Sequence, residues 1–314
     1  MCATGHVAGP SPGEPAPEYH RQEPAKDPRR ASDGPQGEVL TMSDEKLKLG
    51  VMVHIHTTPD EAMEKVAALG LETGQVGWPA GGTLERGREL KGAADRHGVI
   101  VTTLWAALPG PAVWNFIEGP ITIGLVPPGY RAERVEALKQ AARVAGAIGV
   151  QSITTHVGFI PEFPGDPLYE GTVEALKQVA QACLDEGVQF WFETGQETPI
   201  TLLRTIQDIG TGNLGINLDP ANLLMYGKAN PVDALDVFGQ YVRGTHCKDG
   251  EYPTDGRSLG VEKPMGEGRV NFPVLVPKLK SLGYRGHLTI EREISGPQQV
   301  EDIGRAVAIL EPYR

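Results

Sequence analysis

Short apolar runs rich in β-branched and aromatic residues recur along the chain from about residue 48 onwards, separated by stretches with helical periodicity. Each run has the length and composition of a buried β-strand. The stretch 131–147, in contrast, places Val135 and Leu138 on one helical face and stops at Gly149. The pattern predicts strands at 48–55, 71–78, 99–108, 151–158, 189–195, 214–220, 242–249 and 286–293.

Helical patterns fill the gaps between these runs, so strands and helices alternate. The helices are predicted at 59–69, 82–97, 131–147, 168–186, 198–209, 230–239, 271–282 and 297–311. Such alternation builds a parallel sheet with right-handed crossovers, and eight repeats in about 250 residues fit a closed barrel. An open, doubly wound sheet would place a Gly-rich turn after its first strand, whereas HIHTTPD (54–60) stands there. We predict an α/β fold, a single (β/α)8 TIM barrel.

Residues 1–41 are rich in proline and glycine, poor in large aliphatic residues and without periodicity. Such a segment cannot bury enough apolar surface to offset the entropy that ordering costs. We therefore expect a disordered extension at 1–41 and a barrel domain at 42–314. Met42 opens MSDEKLKLG just before the first strand, so the extension is either a flexible tail or a stretch upstream of the natural start.

Composition narrows the class of partner. The formal net charge of −11 and the lack of a Lys/Arg cluster argue against nucleic acid. No run approaches the roughly 18 uncharged apolar residues of a membrane span, so no membrane partner is expected. Cys2, Cys183 and Cys247 form neither a disulfide framework nor a CxxC clip, which fits a cytoplasmic location. We expect a small-molecule partner.

Four predicted strands carry an acidic residue or a histidine near their carboxyl ends, namely Glu193, Asp219, His246 and Glu291. The carboxyl ends of barrel strands meet at one rim, where the active site lies. Each of the four also has the strand parity of a side chain that points inward. Three carboxylates and one imidazole suit manganese, magnesium or cobalt. We predict one divalent metal ion bound by these four residues.

Each of the four also has a purely structural explanation. Glu193 can form a salt bridge with a helix lysine, and Asp219 can cap the helical turn after it. His246 can be a hydrogen-bonded core histidine, and Glu291 can pair with Arg292. Because these explanations require four separate coincidences on four strands, the joint metal site is the favoured interpretation.

Other strand ends supply candidates for substrate contacts. His54 and His56 share a face on the first strand, and His156 ends the fourth. Trp78 and Trp105 close the second and third strands, where an indole face can pack against sugar C–H groups. Acidic groups on one side of the rim and aromatic groups on the other are typical of carbohydrate sites. We predict that His56, Trp78, Trp105 and His156 bind substrate, and we do not include His54.

Five motifs, in their order and spacing, resemble the xylose isomerase-like barrel superfamily: FETGQE (192–197), LDPANLL (218–224), THCKDG (245–250), GEGRVNF (266–272) and LTIERE (288–293). Over residues 48–312 the chain is most similar to the sugar phosphate isomerase/epimerase group that includes ketose 3-epimerases. The resemblance implies that the four strand-end residues bind one divalent metal, commonly manganese. It also implies that Glu193 and Glu291 are the acid/base pair.

The implied reaction is isomerisation or epimerisation of a sugar or sugar phosphate. A hard cation acidifies the carbon beside a carbonyl and stabilises the enediolate, while carboxylates remove and return the proton. An alternative is a lyase that eliminates an aglycone from a 3-oxo-glycoside with the same site. A DNA-repair endonuclease of this superfamily would need a basic face, and a metal-binding sugar sensor would need no paired bases.

Other residues depart from the ketose 3-epimerase pattern or extend it. Asn222 stands where those enzymes have a histidine, and we predict that it contacts substrate. Lys248 either neutralises an oxyanion or phosphate, or pairs with Asp249 in solvent. Arg257, and more weakly Arg269, are candidates for an anionic substrate group.

The segment 109–130 after the third strand is long and contains Trp114 and Phe116. Loops of this length in a compact domain are often lids or interfaces. We predict a lid that contributes to substrate selectivity. Barrels of this family often self-associate, so a homo-oligomer is compatible with the sequence.

Deletion of residues 1–41 should leave the melting temperature and the activity of the barrel unchanged, because the segment has no apolar face to pack. Differential scanning calorimetry of the full chain and of the truncated chain measures the first quantity. A lower melting temperature for the truncated chain would show that the segment belongs to the domain.

Overall fold

A computed structural model of the chain describes residues 46–55 and 58–314. Within these ranges, strands occupy the predicted positions, with a short hairpin added: β1 Leu49–His54, β2 Thr73–Trp78, β3 Ile100–Ala106, β4 Ser152–Thr155, β5 Gln189–Glu193, β6 Leu214–Leu218, β7 Val242–Cys247, β8 Asp249–Gly250, β9 Glu262–Lys263 and β10 Leu288–Ile290. Eight of them close into a barrel in the order β1-β10-β7-β6-β5-β4-β3-β2. All neighbours in the barrel are parallel.

Helices connect the strands outside the barrel: α1 Pro59–Ala68, α2 Leu84–His97, α3 Gly119–Thr122, α4 Pro128–Ile148, α5 Pro167–Asp185, α6 Pro199–Ile209, α7 Pro220–Met225, α8 Pro231–Phe238, α9 Phe272–Ser281 and α10 Pro297–Leu310. Local sequence sets their ends. Thr83 and Thr198 cap α2 and α6 by accepting a hydrogen bond from a backbone N–H three residues on. Gly98, Gly149 and Gly210 end α2, α4 and α6 in the left-handed conformation.

The predicted TIM barrel is confirmed, and all eight predicted strands and helices are present. Sequence analysis missed α3 and the β8–β9 hairpin, which are too short to show a periodic pattern, and it noted α7 only as a helical turn that Asp219 can cap. The predicted disordered extension, 1–41, lies outside the described residues. In the part of the chain that the structure describes, no helix is both long and apolar enough to cross a membrane.

The indole of Trp191, which is 3% exposed, packs against the neighbouring strands β6 and β7. Two glycines make room for it. A Cβ on Gly215 would lie 2.6 Å from Trp191 Cδ1, and one on Gly244 would lie 2.8 Å from Trp191 Cζ3. Since real Cβ atoms do not approach so closely, the neighbouring strands depend on glycine at these positions.

The long segment after β3 is tied to the barrel by a buried arginine of α4. Arg134 donates hydrogen bonds to the carbonyl oxygens of Pro109, Pro111, Thr122 and Gly124, at 2.6–3.0 Å. A guanidinium with five donors can satisfy several carbonyls of one loop at once. The segment that we predicted as a lid is therefore held as a wall beside the carboxyl ends of the strands.

Candidate active site

The structure brings the four predicted metal ligands together. One possible ligand atom from each of Glu193, Asp219, His246 and Glu291 lies within 4.8 Å of the others. Glu193 ends β5, His246 belongs to β7, and the other two directly follow β6 and β10. All four sit at the carboxyl ends of barrel strands, as their parity predicts.

His246 lies at the centre of this cluster. Its Nδ1 is 2.7 Å from Glu193 Oε1 and 3.3 Å from Glu291 Oε2. Its Nε2 is 2.9 Å from Gln75 Oε1 on the opposite side. The amide oxygen of Gln75 accepts a hydrogen bond from Nε2–H, which leaves Nδ1 as the atom directed at the carboxylates.

A chain of side-chain amides supports the cluster from inside the barrel. Gln75 Nε2 donates to Asn217 Oδ1 at 2.8 Å, and Asn217 Nδ2 donates to Glu193 Oε2 at 2.5 Å. Sequence analysis missed both residues. Each is a polar residue at an inward position of an otherwise apolar strand, and that was the available signal.

Lys248 makes contacts that sequence analysis did not predict. Its Nζ lies 2.8 Å from Asp219 Oδ2, 3.0 Å from Glu291 Oε2 and 2.8 Å from Glu293 Oε1. The lysine is 2% exposed, so the solvated pair with Asp249 that we considered is wrong. The alternative explanation of Glu291 is also wrong, since Arg292 pairs with Glu262 and Asp302.

Asp249 instead organises the loop that follows β7. Its carboxylate accepts hydrogen bonds from four backbone N–H groups, those of Gly250, Gly266, Gly268 and Val270, at 2.8–3.1 Å. A buried carboxylate surrounded by amide donors is well satisfied without a cation. Asp249 therefore shapes the 250–270 wall of the site and leaves Lys248 free for the cluster.

Asp219 combines a structural role with its place in the cluster. Its Oδ1 accepts a hydrogen bond from the Asn222 N–H at 2.9 Å and so caps α7, as the structural explanation proposed. Its Oδ2 points to the cluster. Within the described residues, neither Asp219 Oδ2 nor Glu291 Oε2 receives an aligned hydrogen bond, although Lys248 Nζ lies within ion-pair distance of both.

Burial and mutual charge control protonation in the cluster. Burial disfavours protonation of His246, but Glu193 and Glu291 outweigh it and hold the His246 pKa well above its usual range. Burial likewise opposes the Lys248 charge, yet Asp219, Glu291 and Glu293 hold the Lys248 pKa well above its usual range.

The pKa values of the other two groups, Asp219 and Glu291, shift in opposite directions. Burial raises the pKa of Asp219 to about 8, against the attraction of Lys248. Burial also acts to raise the Glu291 pKa, but His246 and Lys248 outweigh it and hold that pKa well below its usual range. The cluster thus holds three carboxyl groups against two cationic side chains, His246 and Lys248.

These features fit a divalent metal ion. Ligands on opposite sides of an ion with bonds of about 2.0–2.4 Å are separated by about 4–5 Å, in line with the observed spread. The two carboxylate oxygens without aligned donors and the surplus negative charge are what such a cation would satisfy. Glu193, Asp219, Glu291 and Nδ1 of His246 would hold it.

A pocket of about 280 Å³ opens above the cluster. Of the residues that we predicted to contact substrate, Trp105, His156, Asn222 and Lys248 line it. Its described lining also includes residues that we had not chosen for the site or had considered weaker: Met52, His54, Trp114, Met225, Tyr226, Leu259 and Glu293.

The structure does not bring every predicted contact to this pocket. Trp78 is 2% exposed in the hydrophobic core and does not line it, because its indole packs toward Gly82 and Gly87. Arg257 and Arg269 are exposed and do not line it either. His56 lies outside the described residues.

Glu197, four residues after Glu193, is a buried carboxylate outside the pocket lining. It is 3% exposed, and neither of its oxygens has an aligned hydrogen-bond donor among the described residues. Burial raises the Glu197 pKa to about 7. The motif FETGQE thus carries two glutamates with different environments.

Comparison with known proteins identifies the family. The profile of the Xylose isomerase-like TIM barrel family matches residues 63–313. The chain belongs to this family. The resemblance seen in the sequence motifs is therefore confirmed.

Two curated proteins are similar to this chain over part of their length. An uncharacterised protein of Methanocaldococcus jannaschii is 26% identical over 190 residues, which cover 57% of this chain and 61% of that protein. The chain thus spans less than two thirds of that relative. A putative hydroxypyruvate isomerase of Homo sapiens is 25% identical over 249 residues, which cover 72% of this chain and 81% of that protein.

Solved structures are similar over most of the barrel. A xylose isomerase domain protein from Planctomyces limnophilus is 33% identical, with a TM-score of 0.80 over 85% of this chain and 97% of that chain. A D-psicose 3-epimerase solved in the presence of D-fructose is 16% identical, with a TM-score of 0.62 over 85% of this chain and 99% of that chain. The second likeness shows the fold alone.

Replacing Gln75 with leucine should weaken Mn²⁺ binding by roughly 10–100-fold, because His246 loses the acceptor that orients its ring. Isothermal titration calorimetry of Mn²⁺ into the metal-free variant and wild type measures the change. Gln140→Leu, on the outer helix α4, is the control and should bind as the wild type does. Unchanged affinity of Gln75→Leu would show that Gln75 does not orient the histidine.

Replacing Glu197 with glutamine should stabilise the protein at pH 8 by up to about 3 kcal/mol and change little near pH 4.5. The folded pKa is raised above the unfolded one, so ionisation favours the unfolded state as pH rises from about 4.5 to 7, and the loss is complete above pH 7. Urea unfolding of both proteins across this range tests the sign. A variant that is equally stable or less stable at pH 8 would contradict it.

Proposed function

We propose that this protein is a divalent-metal-dependent isomerase or epimerase of a sugar or simple sugar derivative. The observation that carries the proposal is the pair of carboxylates, Glu193 and Glu291, that line one pocket and flank the same atom, Nδ1 of His246. Similarity to a putative hydroxypyruvate isomerase supports this class of reaction, and the fold is one that a D-psicose 3-epimerase also has.

The metal would supply Lewis-acid chemistry, which polarises a carbonyl and acidifies the neighbouring C–H. We propose manganese, with magnesium and cobalt as alternatives, because three carboxylates and one imidazole form a hard ligand set. The four residues of the cluster would hold it. The substrate's oxygens would lie toward them, in the polar half of the pocket, which is lined by Glu193, Lys248, Glu291 and Glu293.

Proton transfer is the task of the two glutamates. Both line the pocket, and a carboxylate is the form that accepts a proton from carbon. Asn217 holds Glu193 by its Oε2, which fixes the direction of the other oxygen. One carboxylate removes a proton and the other returns it. Return to the same carbon gives an epimer, and return to the neighbouring carbon gives an isomer.

His156 and Asn222 would bind hydroxyl groups. Both line the pocket and both are largely buried. Burial lowers the pKa of His156, so its imidazole is neutral at pH 7 and can donate and accept hydrogen bonds.

A second candidate function is elimination of an aglycone from a 3-oxo-glycoside by the same glutamates. The aromatic half of the pocket, with Trp105 and Trp114, favours it, because an aglycone needs an apolar surface. Incubation with oxidised glycosides and with free ketoses separates the two reactions. Release of an aglycone occurs in the elimination alone.

Glu193→Gln and Glu291→Gln should each lower the rate of C–H exchange by roughly 10²–10⁴-fold, since a carboxamide cannot accept the proton. The measurement is deuterium incorporation from D₂O into a panel of ketoses and ketose phosphates, read by mass spectrometry after quenching. Glu197→Gln makes the same chemical change at a buried glutamate outside the pocket and should retain the rate.

Chelation provides the second test of the same proposal. Treatment with EDTA should abolish exchange, and Mn²⁺ should restore it. An exchange rate that is unchanged by chelation and by Glu193→Gln or Glu291→Gln would contradict the proposed mechanism.

A further inference from the structure

The two halves of the pocket differ in character, and together they indicate which sugars fit. We propose that the pocket takes an unphosphorylated, uncharged sugar that carries an apolar or aromatic substituent, with the substituent against Trp114. This inference rests on the proposed function only in placing the reacting carbons beside Glu193 and Glu291.

The charge of the polar half disfavours a phosphate group. Glu193, Glu291 and Glu293 line the pocket, and Lys248 is the one lysine or arginine in its described lining. The Lys248 Nζ already lies within 3.0 Å of carboxylate oxygens of Asp219, Glu291 and Glu293. With a divalent ion in the cluster, the four carboxylates of Asp219 and the three lining glutamates still exceed the combined charge of the ion and Lys248. A phosphate dianion would therefore meet net negative charge in a partly desolvated site.

The opposite end of the pocket offers a phosphate no better partner among the described residues. A terminal phosphate lies at the far end of the carbon chain from the reacting carbonyl, and apart from Lys248 the described lining contains no lysine or arginine to meet it. Lys228 does not line the pocket, and its Nζ lies 5.7 Å from the centre of the Phe159 ring. Arg257 and Arg269 are exposed and do not line the pocket either.

His156 suits a hydroxyl group better than an anion. It lies between the two halves, in edge-to-face contact with Trp114 at 5.1 Å and with Trp105 at 6.1 Å between ring centres. Its Nδ1 has no hydrogen-bond partner among the described residues. Apolar rings on two sides favour the neutral imidazole, which a hydroxyl can satisfy.

Trp114 gives the apolar half its distinctive surface. It lines the pocket and is still 45% exposed, so it borders the mouth. The segment that carries it is held at both ends by the four carbonyl contacts of Arg134, and the indole itself packs edge-to-face against His156. A half-exposed, fixed indole gains by packing against a ring or an apolar group that projects from the bound sugar.

Calorimetric titration of the Mn²⁺-loaded, dialysed full chain tests both parts of the proposal. Phenyl β-D-glucopyranoside should bind at least 10-fold more tightly than the methyl glucoside. D-fructose 6-phosphate should bind at least 10-fold more weakly than D-fructose. Equal binding of the two glucosides, including no binding of either, would overturn the first part. Tighter binding of the phosphate ester would overturn the second.

Variants test whether Trp114 is responsible for the preference for the phenyl glucoside. Trp114→Ala should reduce the phenyl-to-methyl ratio to within 2-fold and leave binding of the methyl glucoside within 3-fold of wild type, whereas Trp114→Phe should retain part of the preference. Phe163→Ala removes an aromatic ring that is 70% exposed and outside the pocket lining, and it should change neither. A preference that persists in Trp114→Ala would overturn the assignment, with circular dichroism checking that each variant is folded.

Failure of this inference and failure of the proposed function give different experimental results. Metal-dependent C–H exchange seen with phosphorylated sugars alone would overturn this inference and leave the isomerase proposal standing. A preference for the phenyl glucoside without any metal-dependent exchange would do the reverse.

Discussion

Three carboxylates, those of Glu193, Asp219 and Glu291, meet at the carboxyl end of the barrel with no more than two cationic side chains to balance them. Burying an ionised group costs roughly several kcal/mol unless it is paired or coordinated. The cluster is therefore stable only as a unit, with His246 and Lys248 inside it. The surplus of negative charge is what a bound divalent cation would balance, and the proposed chemistry follows from that surplus.

The fold keeps this cluster in place from below and from the sides. Below it, Gln75 and Asn217 form a hydrogen-bonded chain that orients His246 and Glu193. At the sides, Arg134 and Asp249 each use a buried charge to bind the backbone of one loop. Two opposite charges thus stabilise two loops in the same way. The guanidinium of Arg134 donates to carbonyl oxygens of one loop, and the carboxylate of Asp249 accepts from N–H groups of the other. Substitutions in these walls should alter the pocket without touching the cluster.

Strand periodicity and parity were enough to predict the barrel and to bring four distant residues to one rim, because both depend on local pattern alone. Other features depend on which partner a side chain finds in three dimensions. Lys248 and Asp249 are adjacent in sequence, yet one joins the carboxylates and the other binds backbone amides. Trp78 and Trp105 looked equivalent at their strand ends, but Gly77, not Trp78, pairs with Trp105. Trp78 therefore points to the other face of the sheet, toward α2, and lies in the core. Gln75 was visible as an inward polar residue, although its partner was not.

The central claim is that the four strand-end residues bind one divalent ion. Anomalous diffraction from a crystal soaked in Mn²⁺ tests it most directly. We predict one anomalous peak about 2.0–2.4 Å from oxygens of Glu193, Asp219 and Glu291 and from Nδ1 of His246, with the Lys248 ammonium displaced toward Glu293. A fully soaked crystal with no peak there, and with Lys248 still between Asp219 and Glu291, would contradict the account.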